Sequence, residues 1–219
     1  MQMKSIRVRA WLCLVIIVAF LVSWIYIAFL FGNGFMTAGG IRSLRYFTIL
    51  SNLMEGIASV LYLWDTRFGK RTAGLRTEQF KYIAAVAVGL TFAVVMVFLG
   101  PLFGYVDMLA GPNFWLHMAL PLMAAAEQIF LREEAFGKRE NLVAVLPMVL
   151  YGVGYFTNIM INGPGSGKDT NDWYAFLIFG YKGIPAVFLV VGLLTYGIGL
   201  ILRKGNEVFR SRKRTKLFP

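Results

Sequence analysis

The stretch WLCLVIIVAFLVSWIYIAFLF, residues 11–31, decides the architecture. It holds no charged residue and is about as long as the roughly 20 apolar residues a helix needs to cross a ~30 Å hydrocarbon layer. Five further stretches repeat the pattern, at 45–64, 82–100, 113–131, 142–161 and 175–202. The connections are short and leave no room for a second domain. The sequence therefore predicts one all-α membrane domain over residues 1–219, a bundle of six transmembrane helices with a basic tail at 203–219. The ~10-residue segments of alternating polarity that mark a transmembrane barrel do not occur.

Composition agrees. Of 219 residues, 58% are hydrophobic, 16% aromatic and only 15% charged, where a soluble domain carries about 25% charged residues. That much apolar surface excludes a disordered chain, and the lone Cys13 excludes a disulfide scaffold. The N-terminal run, preceded by Lys4, Arg7 and Arg9, could be taken for a signal peptide. It is longer than an h-region, however, and Phe31-Gly-Asn-Gly34 offers no Ala-x-Ala cleavage pattern, so it reads as a retained first helix.

The chain has 22 basic against 11 acidic residues, net +11. In a soluble protein this would suggest a nucleic-acid partner. Here eighteen of the 22 fall at the N-terminus, in the second and fourth connections (Lys81 and Arg132 among them) and in the tail. Only Arg42, Arg45, Lys168 and Lys182 fall on the other side. The excess charge is thus topological: it predicts both termini in the cytoplasm and no nucleic-acid partner, and the basic tail can also meet anionic headgroups. The expected setting is a cell (inner) membrane, with the candidate site towards its extracytoplasmic face.

Polar residues inside the spans are expensive and point to function. Thr48, Asn52, Glu55 and Ser59 share one helical face; so do His117, Pro121, Ala124 and Gln128, and Tyr151, Tyr155, Asn158 and Asn162. Counted from the outer surface, Thr48 lies roughly 4.5 Å and His117 roughly 6 Å deep. The only histidine in the chain therefore meets a hydroxyl at one level, and a base beside a weak hydroxyl nucleophile is the requirement for covalent acyl transfer. Asn52, Asn113, Asn158, Asp107 and Asp172 are candidates to orient the imidazole; Asn52 and Ser51 are alternatively candidates to steady an oxyanion. Tyr155, Asn158, Tyr181 and Lys182 approach the same level as candidate substrate contacts. Glu55, near mid-membrane, is expected to be protonated or paired with a neighbouring helix, and Glu127 to be satisfied by water or Arg132.

Some sites are excluded. One histidine and one cysteine make no metal ligand set, and no cofactor is expected. The loop 162–169 only superficially resembles a phosphate loop: Asn162 stands where the first glycine belongs, and Asp169 follows Lys168 in place of Ser or Thr. Trp173 and Tyr174 read as an interfacial aromatic belt, and the apolar loop 101–112 as one that either dips into the interface or covers a cavity mouth.

The segments Arg45-Tyr-Phe-Thr-Ile-Leu-Ser-Asn52 and His117-Met-Ala-Leu-Pro121 resemble a six-pass membrane superfamily, that of the androgen-induced protein and the androgen-dependent regulator of tissue factor pathway inhibitor, with bacterial relatives. The resemblance implies an intramembrane hydrolase that cleaves fatty acid esters of hydroxy fatty acids, with Thr48 as nucleophile and His117 as base. The expectation is a lipid ester hydrolase working through an acyl-enzyme on a fatty acyl ester. A lipid acyltransferase with the same dyad, a small proton-coupled transporter using Glu55, His117 and Lys182, and a non-catalytic lipid-binding protein are the alternatives.

Overall fold

The computed structural model describes residues 2–30, 40–166 and 170–215. The segment 31–34 and Lys168, both read above, lie outside the described residues. Among those described, six helices are long and apolar enough to cross a membrane and no strand occurs. They are α1 (Met3–Leu30), α2 (Phe47–Asp65), α3 (Leu75–Phe103), α4 (Pro112–Leu131), α5 (Lys138–Asn162) and α6 (Tyr181–Lys213). The chain is a multi-pass membrane bundle.

α1 to α4 form its body. Ile16, Phe20 and Ile27 of α1 pack on Ile49 of α2 and on Leu116 and Leu120 of α4, while Val15, Val18 and Val22 on the opposite face of α1 are exposed and meet hydrocarbon. α5 and α6 lie against α3, with a wide apolar seam between them lined by Tyr155, Phe156, Val187 and Phe188.

Several boundaries differ from the sequence reading. α1 begins before Trp11 and α3 before Tyr82, so Arg9, Glu78 and Lys81 lie inside helices and are buried. The sixth helix is regular only over Ile184–Thr215. Ala175 and Gly180 take positive φ (55° and 66°), which no continuous right-handed helix allows, and residues 176–183 form short 3-10 turns. The stretch read as a tail is helical to Thr215, since Lys and Arg are good helix formers.

An ionic network holds the end of the bundle that carries both termini. Arg9 grips Glu78 with both terminal nitrogens (2.5 and 2.8 Å) and Glu127 with Nε (2.7 Å). Lys81 Nζ reaches Glu55 (2.5 Å), Glu127 (2.8 Å) and Ser59 Oγ (2.8 Å). Glu55 is thus paired, and Glu127 is satisfied by Arg9 and Lys81 rather than by water or Arg132. Charges this deep survive only with close partners, and these partners join α1, α2, α3 and α4.

Candidate active site

Thr48 stands in the first turn of α2, four per cent exposed, and its Oγ1 lies 3.4 Å from His117 Nε2. His117 Nδ1 lies 2.7 Å from the Met108 carbonyl oxygen. A carbonyl only accepts, so Nδ1 carries the proton and Nε2 keeps its lone pair, facing the Thr48 hydroxyl. None of Asn52, Asn113, Asn158, Asp107 or Asp172 orients the ring. A backbone carbonyl does, in the apolar loop 101–112. That loop turns back on itself through Gly104 (φ 96°) and Gly111 (φ 54°), conformations open to glycine without strain.

The motif spacings have a backbone cause. Pro121 has no N–H, and its ring would clash with the carbonyl of His117 four residues back. α4 relieves this by widening into a π-turn over Trp115–Ala119, in which the Leu120 N–H donates to Trp115 O. In that register the Leu116 carbonyl would take its bond from residue 121, which has none to give. Asn52 Nδ2 supplies it across the helix interface (3.1 Å), while also donating to Thr48 O (2.8 Å). One amide therefore fixes the backbone of the nucleophile candidate to that of the base candidate. α3 repeats the device. Pro101 follows a π-turn over Val95–Leu99, and the carbonyl left over, Met96 O, accepts from the Tyr105 hydroxyl at 2.7 Å.

This settles where the supporting residues stand. Both Asn52 amide protons are spent on carbonyls, and Ser51 Oγ contacts Thr91 Oγ1 (2.9 Å) and Thr48 O (3.2 Å), so neither is placed as an oxyanion donor. Asn52→Leu is expected to cost about 1–3 kcal/mol by orphaning Leu116 O. Pro121→Ala, which returns an N–H to the helix, should shrink that cost; unfolding of both singles and the double in detergent measures the coupling. Equal costs in the two backgrounds would mean that the proline does not create the vacancy.

On its other side Thr48 borders a cleft of about 580 Å³, mouth included, between α2, α3, α5 and α6. Its walls are Leu90, Val94, Leu99, Met148, Phe156, Phe188 and Val191, with Tyr151 and Tyr155 near the top; no charged side chain lines it. Gly152 makes room for the Phe188 ring, 2.9 Å from where a Cβ would stand. Of the expected substrate contacts, only Tyr155 lines the cleft. Asn158 pairs with Asn162 (2.8 Å) away from it, and Tyr181 and Lys182 are exposed. Nor are the residues of a transport path gathered: Glu55 is held by Lys81, His117 by Met108 O, and Lys182 stands outside.

The residue that sequence reasoning missed is Tyr174. It is buried rather than interfacial, and its hydroxyl oxygen accepts from the Phe47 N–H at 2.7 Å, within reach of the Thr48 N–H and hydroxyl. Burial pushes the Tyr174 phenol up to about 12, so it keeps its proton at neutral pH. Trp173 Nε1 donates to Tyr151 Oη (2.9 Å), which donates to Arg45 O (2.7 Å), and Tyr155 bonds Asp172. These aromatic residues roof the site rather than ring the molecule. Among the described residues no group of His, Cys, Asp and Glu is arranged to hold a metal ion. The chain matches no protein-family model, no curated protein and no solved structure.

Proposed function

We propose that the protein is an intramembrane hydrolase of neutral, long-chain acyl esters, acting through Thr48 and His117. One observation carries this reading. The Thr48 hydroxyl lies between an apolar cleft and the free lone pair of a buried imidazole whose other nitrogen is fixed. A distance of 3.4 Å suits a resting dyad that tightens when substrate excludes water.

The ester enters sideways between α5 and α6 and lays its chains along the cleft. His117 Nε2 takes the hydroxyl proton as Thr48 Oγ1 attacks the ester carbonyl. The oxygen that becomes negative is held by the Phe47 and Thr48 N–H groups at the start of α2, which meet the Tyr174 oxygen at rest. The tetrahedral centre collapses, the ester C–O bond breaks, and the Nε2 proton passes to the departing alcohol. The acyl group is then an ester of Thr48. Water, deprotonated by Nε2, releases the fatty acid and restores the hydroxyl. The uncharged wall favours esters without a free carboxylate near the scissile bond, since a bare charge in such a cleft is costly. The positive-inside pattern of lysines and arginines supports a site towards the extracytoplasmic face of a cell membrane.

The test is a fluorogenic oleoyl ester offered to purified protein in detergent, with mass spectrometry of the trapped adduct. Turnover and acylation at Thr48 are expected; the absence of both overturns the reading. Tyr174→Phe leaves no oxygen to displace from the α2 N–H groups and is expected to raise kcat/KM about fivefold, the worth of one hydrogen bond of ~1 kcal/mol. A fall in kcat would instead make the phenol itself the donor to the oxyanion.

A further inference from the structure

A second site lies at the opposite end of the bundle from Thr48, where α4 ends beside α6 and the start of α1. A niche of about 720 Å³, mouth included, is lined there by Ser5, Arg132, Glu133, Phe209, Arg210 and Lys213. Its walls are fixed, because Asn206 Nδ2 of α6 donates to the Arg132 and Ile129 carbonyls at 2.9 and 3.2 Å. Three basic residues and one carboxylate are among the residues that line it. Arg132 itself is two per cent exposed, with its guanidinium carbon 4.4 Å from the centre of the Phe136 ring and 5.0 Å from that of the Tyr82 ring.

All three Arg132 nitrogens are closed to solvent at rest and lack a hydrogen-bond acceptor among the described residues. The like charges of Arg9 and Arg210 act on it, opposed by Tyr82 and by the carboxylate of Glu78. Burial accordingly holds its proton affinity down, to about 10, while it stays a cation at neutral pH. A buried guanidinium with no acceptor, at the edge of a niche with two further cations, lacks an anion.

We infer that this niche binds a phosphate group through Arg210 and Lys213, with the buried charge of Arg132 behind them. The phosphate comes either from an anionic lipid headgroup, with its chains running along the exposed Phe130 beside Phe209, or from free phosphate. The site is independent of the ester chemistry at Thr48.

The test uses the full chain in dodecylmaltoside at constant ionic strength. Dioleoylphosphatidic acid, dioleoylphosphatidylcholine and sodium phosphate are titrated separately, read by melting temperature and by native mass spectrometry of retained lipid. Phosphatidic acid is expected to stabilise the wild type and remain bound, and phosphatidylcholine to do neither. Arg210→Gln/Lys213→Gln should weaken the effect at least about tenfold, each cation contributing about fivefold. Protection by sodium phosphate that matches phosphatidic acid and disappears in the double variant assigns the site to free phosphate. Equal protection of wild type and double variant, or equal action of the two lipids, overturns the proposal. Arg132→Met, which keeps the buried volume, should lose lipid retention; where it fails to fold, the double variant decides.

Discussion

His117→Ala is expected to lower ester turnover by about a thousandfold or more, with the fold intact. The imidazole has two tasks, taking the Thr48 proton and returning it to the leaving alcohol, and positioned general acid–base catalysis is worth about 10²–10⁴. Its loss also removes the imidazole nitrogen that faces Thr48 Oγ1 as a base, a role fixed by the bond from Nδ1 to Met108 O. Thr48→Ala should abolish the covalent adduct altogether. Thr48→Ser keeps a hydroxyl in the same turn and should retain measurable turnover. Because residues of one catalytic unit act together, the double variant Thr48→Ala/His117→Ala should be hardly slower than the worse single. Rates are compared with far-ultraviolet circular dichroism of each variant. If Thr48→Ala turns over ester like the wild type, the hydroxyl is not the nucleophile, whatever its distance from the ring. If His117→Ala loses activity and also melts early, the ring is a structural link between α4 and the 101–112 loop.

The two halves of this pair were legible from depth alone. Thr48 and His117 each stand one turn below the same surface, and helix rise places them level without knowledge of packing. The four-residue spacings to Asn52 and Pro121 were visible as polar stripes, yet their cause was not. It lies in a missing N–H, a change of helical register and an acceptor on another helix, none of which leaves a mark in periodicity. Tyr174 was misread for a similar reason: an aromatic residue in a loop at membrane depth looks interfacial until its loop folds inward. Lys182 and Tyr181 were misplaced because the sixth span was taken as unbroken, whereas Gly180 interrupts it and carries them outward. Arg9 and Lys81 looked like boundaries because a charge ends an apolar run. They are interior because each has its partner on a different helix, and partnership across helices is tertiary information. Glu55, conspicuous at mid-span, announced that it had to be either protonated or paired; Lys81 on α3 is the pairing.

The ionic network carries the other large expected effect. Lys81→Met removes a fully buried cation that joins Glu55, Glu127 and Ser59. Glu127 keeps Arg9, but Glu55 is left with no cation, and breaking one side of a buried pair costs about 3–5 kcal/mol. For a chain of this length that is a drop in melting temperature on the order of 10 °C, readable in detergent from tryptophan fluorescence. Lys81→Met/Glu55→Gln removes both charges, so the uncompensated carboxylate that dominates the cost disappears, and much of the loss should return. The difference between the double variant and the sum of the singles is then the coupling across the α2–α3 interface. Function separates a structural network from a conducting one. Glu55 lies seven residues below Thr48, about 10 Å along α2, and takes no part in the ester chemistry, so the double variant should cleave ester at the wild-type rate. In liposomes, wild type and double variant should show the same proton leak. A flux in the wild type that the double variant abolishes would make the Glu55–Lys81 pair a path for protons, and would move the centre of this protein's chemistry from one end of the bundle to the other.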